Sequence, residues 1–301
     1  MSAFNPLRLP ALIWAFTESN FSTFILPNTA FGLLAVLAAP SLTQCIRFET
    51  PVTWSLLFRA ALRILLFNWV NVFVFDLANQ RAPESVLEDS LNKPWRPVAQ
   101  GRISLTQTRW LMLGAIPVAV GISHLLGTGS ESALCLLLTW MYSDLGGGNE
   151  LTRDLLIGVG YTVALVTSLQ IGAATYGVDS SLSATGYSWL GILGAVVVTT
   201  MQVQDLKDQA GDRARGRKTW PLVVGDSVSR KWLAACLLFW SVQCSLFWGL
   251  PLLVTGGLVA GGLGVACCIL CRTADARAWR LWCVWQVTLY SLPLPALLWR
   301  R

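Results

Sequence analysis

Residues 205 to 219 read Asp205-Leu-Lys207-Asp208-Gln-Ala-Gly211-Asp212-Arg213-Ala-Arg215-Gly-Arg217-Lys218-Thr219. A helix turns about 100° per residue, so Asp208 and Asp212 fall within roughly 60° of Asp205 and the three carboxylates share a face. Hard carboxylate oxygens gathered in this way suit Mg²⁺, which keeps several waters and binds through a few carboxylates plus substrate phosphates. The cations that follow, Arg213, Arg215, Arg217 and Lys218, suit the phosphates themselves. The chemistry implied is a metal–diphosphate site at the end of an apolar segment.

A second polar stretch ends an earlier apolar run, Asn68-Trp-Val-Asn71-Val-Phe-Val-Phe75-Asp76-Leu-Ala-Asn79-Gln80. On a helix, Asn68, Asn71, Asp76 and Asn79 span an arc of roughly 140°. A polar stripe on such a helix faces a cavity and not lipid. Glu84, Glu88 and Asp89 come next, then Asn92-Lys93-Pro94-Trp95-Arg96-Pro97 and Gly101-Arg102-Ile103-Ser104. The prolines stiffen this loop and end helical structure. Lys93, Arg96 and Arg102 add cations. A third polar stretch, Tyr142-Ser-Asp144 through Gly146-Gly-Gly-Asn149-Glu150 to Arg153-Asp154, contains a glycine run that reads as a mobile loop capping a cavity.

The elements that must position these groups are membrane helices. Hydrophobic residues make up 54% of the 301 and charged residues 13%, against about a quarter charged in soluble domains. Nine apolar segments are long enough to be considered as spans, at roughly 22–40, 54–76, 107–126, 132–145, 154–174, 187–204, 232–249, 251–271 and 279–298. The fold expected is an all-α polytopic bundle, one domain over 1–301. Glu18, Asn20 and Asn28 interrupt the first apolar run, so no cleavable leader is expected.

Lysines and arginines fall after the even-numbered segments: Arg81 to Arg102, Arg153, Lys207 to Lys231, and Arg272 to Arg280. The loops after segments three, five and seven have none. The polar stretches therefore lie on the cytoplasmic side, although Arg300 and Arg301 run against the scheme. The net charge of +6 sits in loops between spans and is not a nucleic-acid signal. The eight cysteines read as packing, and so does the unpartnered Cys268/Cys271 pair. A transporter would place its charges near the midplane of repeated halves, which this pattern does not show. No obligate protein partner is evident.

Asn92-Lys93-Pro94-Trp95-Arg96-Pro97 with Gly101-Arg102-Ile103-Ser104 resembles the loop after the first Asp-rich motif of the UbiA superfamily of intramembrane prenyltransferases. Asp205 through Pro221 resembles the second such motif. The first motif is altered: Asp76-Leu-Ala-Asn79-Gln80 fits its start with Asn79 in place of an aspartate, and Glu84, Glu88 and Asp89 remain alternatives as ligands. In this it is similar to a fungal branch that includes membrane-bound terpene cyclases. The resemblance implies a helical bundle around a central cavity opening sideways to lipid. It implies Mg²⁺ held by Asp76, Asn79, Glu88 and Asp89 on one side and Asp205, Asp208 and Asp212 on the other. Lys93, Arg96, Arg102, Arg153, Lys207, Arg213 and Lys218 would meet the diphosphate, and Tyr142 would act beside Arg153.

The chemistry is then ionisation of a linear isoprenyl diphosphate, C15 or C20, with Asp76, Asn79, Asp208 and Tyr142 as catalytic residues. Closure of the allylic cation on its own double bonds makes a terpene cyclase, and the alternative is capture by an aromatic or quinone-precursor acceptor in a prenyltransferase. The expected location is a membrane that the chain crosses several times with the site on the cytoplasmic side, the endoplasmic reticulum membrane if the host is fungal. Aromatic faces stabilise cations by roughly 0.5–2 kcal/mol. Of the 15 tryptophans, Trp54, Trp69, Trp140, Trp189, Trp240 and Trp248 lie in or beside spans. They read either as cavity walls or as interface anchors.

Overall fold

A computed structural model describes residues 9–45, 51–272 and 274–299; Arg300 and Arg301 lie outside this range. The described chain is helical, and its one β feature is an isolated bridge between Thr43 and Leu182. The first apolar run begins earlier than its composition suggests. Helix α1 (Leu9–Asn20) passes through a wide π turn at Phe21–Ile25 into α2 (Leu26–Leu37). Pro27 explains the turn: it has no N–H to return to the Thr23 carbonyl. That carbonyl instead accepts the Tyr161 hydroxyl at 3.1 Å.

After the short α3 (Ala39–Leu42) comes α4 (Trp54–Gln80), then α5 (Pro83–Asn92), whose first residue is a proline, preorganised for a helix start. Helix α6 (Leu105–Leu125) opens with a reciprocal capping box between Ser104 and Gln107, worth about 1 kcal/mol. Helix α7 (Gly129–Ser143) and α8 (Arg153–Thr175) follow. Helices α9 (Ala184–Thr200) and α10 (Val203–Arg215) are two arms of one bent unit, angled by 45°. The chain closes with α11 (Trp220–Val224), α12 (Asp226–Trp248), α13 (Leu252–Leu270), α14 (Asp275–Ser291) and α15 (Pro293–Trp299).

The expected count of nine spans is not confirmed. Among the described residues, six helices are long and apolar enough to cross a membrane, seven if the bent α9–α10 pair is one span. The expected fourth segment is α7, whose 15 residues reach only about 22 Å against a hydrocarbon core of about 30 Å. The expected ninth breaks at Leu292, between α14 and α15. The protein is nonetheless an integral membrane protein in its composition and helix lengths.

One side of the bundle, α2, α8, α9 and α12–α14, holds the aromatic core. Trp189, Trp248, Trp282 and Tyr290 are fully buried there, with Trp189 stacked on Phe247 and edge-on to Trp248. Indole N–H groups that lose water need partners. Trp282 donates to Thr200 Oγ1 at 2.9 Å, Trp240 to Thr199 Oγ1 at 2.8 Å and Trp285 to Ser241 Oγ at 3.0 Å. Trp54 and Trp140 are exposed on the surface. The other side of the bundle borders a cavity.

Candidate active site

The cavity has a volume of about 160 Å³. Its aromatic walls are Phe24, Phe67, Phe75 and Tyr161, backed by Leu138 and Ile157. Phenylalanine and tyrosine, and none of the six tryptophans singled out above, supply its π faces. Asn68, Asn71 and Asn79 line it, so the asparagines of the α4 polar stripe do face a cavity. Its polar end is made by Lys93, Arg96, Tyr142, Arg153 and Gln204.

Asp76 is completely buried and accepts one hydrogen bond, from Asn20 Nδ2 to Oδ1 at 2.7 Å. Asn20 is a residue that sequence reasoning missed. Its signal was there, a polar side chain inside an apolar run, which at membrane depth is a functional candidate. Two further bonds lace α1 to α4: Trp69 Nε1 to Thr17 Oγ1 at 3.1 Å, and Gln80 Nε2 to the Phe16 carbonyl at 3.0 Å.

Helix α10 delivers the other carboxylates. Asp205 in its first turn and Arg213 and Arg215 in its last both complement the helix dipole. Asp205, Asp208 and Asp212 are all buried. Asp205 accepts from Arg153 NH1 at 2.9 Å, and both oxygens of Asp208 accept from Lys207 Nζ at 2.7 Å. Lys93 lies 4.0 Å from Asp208. Burial, and the Arg96 and Lys207 charges nearby, hold the Lys93 ammonium below its usual range despite Asp208.

The α5 and α10 segments dock through Asn92. Its Nδ2 donates to the Asp208 carbonyl at 2.8 Å and its Oδ1 accepts the Gly211 N–H at 3.0 Å. A Cβ on Gly211 would sit 2.4 Å from the Asn92 amide and 2.6 Å from the Glu88 carbonyl, so only glycine permits this approach.

Glu88 and Asp89, expected as metal ligands, are instead held by arginines. Glu88 Oε2 accepts from Arg215 NH1 at 2.8 Å and Arg217 Nε at 3.1 Å. Burial favours a protonated Glu88, but Arg217 and Arg215 outweigh it and bring the carboxyl down to about 2. Asp89 receives Arg96 NH1 on both oxygens, at 2.9 and 3.1 Å.

Arg217 also donates to the Tyr142 hydroxyl at 3.1 Å and the Gly148 carbonyl at 2.6 Å. The Tyr142 hydroxyl accepts a second bond from Arg153 Nε at 3.3 Å. The glycine run beside it, read as a mobile cap, is therefore pinned. Arg215 Nε donates to Asn149 Oδ1 at 2.9 Å, and the Lys218 N–H to the Asn149 carbonyl at 2.8 Å. A Cβ on Gly148 would lie 2.6 Å from the Tyr142 ring, so its smallness serves close packing.

Four expected diphosphate cations are not among the residues that line the cavity: Lys207 is bonded to Asp208, and the other three are Arg102, Arg213 and Lys218. Arg102 lines a separate surface pocket with Gly101 and Ser104. Arg213 is exposed, and Lys218 is exposed and pairs with Glu150 at 2.8 Å. Arg215 and Arg217 turn toward Glu88 instead; which of the alternating arginines do so is decided by the end of α10 and the chain that follows it.

Residues 25–292 match the UbiA prenyltransferase family. The chain belongs to that family. It is 34% identical over 224 residues to a somaliensene A/B synthase of Streptomyces somaliensis, covering 74% of this chain and 68% of the relative. It is 28% identical over 235 residues to the diterpene cyclase eriG of Hericium erinaceus, covering 76% and 69%. A polyprenyl transferase of the same fungus, eriF, is 27% identical over 225 residues, covering 73% and 70%. Among solved structures, a UbiA homologue from Archaeoglobus fulgidus bound to GPP and Mg²⁺ superposes with a TM-score of 0.58 at 13% identity, over 93% of this chain and 99% of that one. At that identity the likeness is one of fold.

Oxygen donors near the cavity's polar end suit a hard divalent cation, although of the expected ligands only Asn79 lines the cavity itself. Among the described residues, no three His, Cys, Asp or Glu side chains form a metal cage by themselves. Asp76 Oδ2, Asn79 Oδ1 and Asp212 Oδ2 are buried without a hydrogen-bond partner. Leaving such oxygens empty costs about 1–3 kcal/mol each, and a cation would remove that cost. Arg96 Nε is likewise buried and unpaired, a donor left over for an anion.

Proposed function

We propose that this protein is an integral-membrane terpene cyclase acting on a linear C15 or C20 isoprenyl diphosphate. The observation that carries the reading is the joining of an apolar, aromatic-walled cavity to one cationic end at Lys93, Arg96 and Arg153. Its sequence relatives include a terpene synthase and a diterpene cyclase, which agrees with it.

Asp76 and Asn79 from α4, with Asp205, Asp208 and Asp212 from α10, would hold Mg²⁺. Bound there, the ion would supply Lewis-acid stabilisation of the leaving diphosphate. The rest falls to the protein. Lys93, Arg96, Arg153 and Lys207 neutralise the phosphate oxygens as the C–O bond breaks and its electron pair leaves with the diphosphate. Tyr142 accepts from both Arg153 and Arg217 and so fixes two guanidinium groups. Glu88 and Asp89 hold Arg215, Arg217 and Arg96 in position. Phe67, Phe75 and Phe24 shield the allylic cation from water and offer it their faces.

The distribution of Lys and Arg among the loops supports a cytoplasmic site, on the endoplasmic reticulum if the host is fungal. The second reading, a prenyltransferase, is favoured by the similarity to eriF. Membranes containing the protein, given Mg²⁺ and C10, C15 or C20 diphosphate without an acceptor, separate the two. A cyclic hydrocarbon seen by GC–MS, lost with EDTA, is the expected result. Diphosphate release only when an aromatic acceptor is added would make it a transferase.

A further inference from the structure

Asn68 lies on α4 eleven residues before Asn79, so it is about 16 Å further along the helix from the cationic end. It is 1% exposed and lines the cavity. Its Nδ2 donates to the Ile64 carbonyl at 3.1 Å and to Ser168 Oγ at 3.1 Å. The Ile64 carbonyl is only an acceptor, so the amide orientation is set. The other end of the amide, Oδ1, is buried with no partner.

The neighbouring residues isolate this feature. Asn71 lines the same cavity, but its Oδ1 accepts from Ser132 Oγ at 2.8 Å and its Nδ2 donates to Phe67 O and Ser123 Oγ. Asn28 and Gln286 are also buried without partners, yet neither lines the cavity. Asn79 also has an unpartnered Oδ1 in the wall, but it lies at the cationic end and is counted there with the oxygens open to a cation. Away from that end, Asn68 is the amide of these that combines an unused carbonyl oxygen with a place in the cavity wall. Phe67, the residue before it on α4, is also in the wall.

We infer that Asn68 is a specificity-determining residue of the cyclisation, its side-chain carbonyl fixing where positive charge settles after it leaves C1. The inference rests on the cyclase reading. Ionisation leaves the electron pair with the diphosphate and the charge on the allylic carbons. A distal double bond donates its π pair to C1, a C–C bond forms, and the charge moves to a distal carbon. Loss of a neighbouring proton to the released diphosphate then gives the olefin. At each distal carbon the choice between further closure and proton loss depends on what stabilises the cation there. An oriented amide dipole in a water-poor cavity acts strongly, because it needs no reorganisation. Ser168 and the Ile64 carbonyl engage its positive end, and its negative end is left without a partner beside the cavity.

The test uses the purified protein with Mg²⁺ and C15 or C20 diphosphate, without acceptor, in wild type, Asn68→Leu and Ser168→Ala. Leucine keeps the volume and removes the dipole; alanine at 168 frees the amide to turn. Diphosphate release should stay within about threefold of wild type in both variants, while the ratio of fully cyclised to acyclic or early-terminated products falls by about tenfold in Asn68→Leu and less in Ser168→Ala. An unchanged product ratio at retained release overturns the inference. So does loss of release and of every product in parallel in both variants, which marks a structural role. If Asn68→Leu does not fold, the ratio in Ser168→Ala decides. Failure of the cyclase reading shows separately, as a wild type that releases no diphosphate without an acceptor.

Discussion

The two acidic segments that meet at the polar end of the cavity have the same side-chain chemistry and different fates. On α10 and the end of α4, Asp212 and Asp76 each keep a buried oxygen with no partner. On α5, Glu88 and Asp89 are enclosed by Arg215, Arg217 and Arg96. Asp205 and Asp208 on α10 also meet cations, Arg153 and Lys207, so it is the open oxygens of Asp76 and Asp212, and not the absence of a paired charge along the whole segment, that mark the side left to bind a cation. The difference teaches that acidic residues near a site divide into those that bind and those that brace. Only the partners of each carboxylate, and not its type, tell which is which.

The strongest way to break this division is Asp76→Ala. It removes an open oxygen, and diphosphate release should fall by about 10²–10³-fold with little change in thermal stability, read by phosphate assay and melting in detergent. Near-normal turnover would end the assignment of Asp76 to the binding side.

Glu88→Gln tests the bracing side and should act first on stability. Leaving Arg215 and Arg217 without their shared charge should cost about 3 kcal/mol, with the melting temperature lowered. The sign of its pH dependence follows from the carboxyl being brought from its ordinary 4.5 to about 2. A group lowered in this way stabilises the fold above about 4.5, and the contribution fades as pH falls from there toward about 2. Glu88→Gln should flatten that slope; a variant with the wild-type slope would place Glu88 outside the brace.

Asn20→Ala sharpens the comparison from another side, since among the described residues Asn20 is the side-chain hydrogen-bond donor to Asp76. Removing it should leave stability nearly unchanged and lower turnover by about tenfold, with more Mg²⁺ needed for half-maximal rate. An unaltered Mg²⁺ requirement would show that Asn20 does not position Asp76. The smallest effect is expected at Glu84, which is exposed on the first turn of α5. Glu84→Ala should stay within about twofold of wild type in release and product ratio.

The membrane character, the helical class and the convergence of two polar stretches were legible in the chain, because hydropathy and a 100° helical repeat are local properties. The α4 stripe was legible for the same reason: Asn68, Asn71 and Asn79 share an arc on any helix and do line the cavity. The α10 face was equally readable, and Asp205, Asp208 and Asp212 are all buried. The number of spans was less legible, because α7 is only 15 residues long and the last apolar run breaks at Leu292, so helix length as well as apolar composition bears on the count.

The sequence by itself determined which residue types were available for metal and diphosphate chemistry and on which helix faces they lie. The tertiary structure alone decided their partners. It brought Asn20 across to Asp76, turned Arg215 and Arg217 inward while leaving Arg213 and Lys218 outside, and gave Glu88 to arginines. Each of these joins residues far apart in the chain through distances of about 3 Å, and no local periodicity encodes a distance between separate helices.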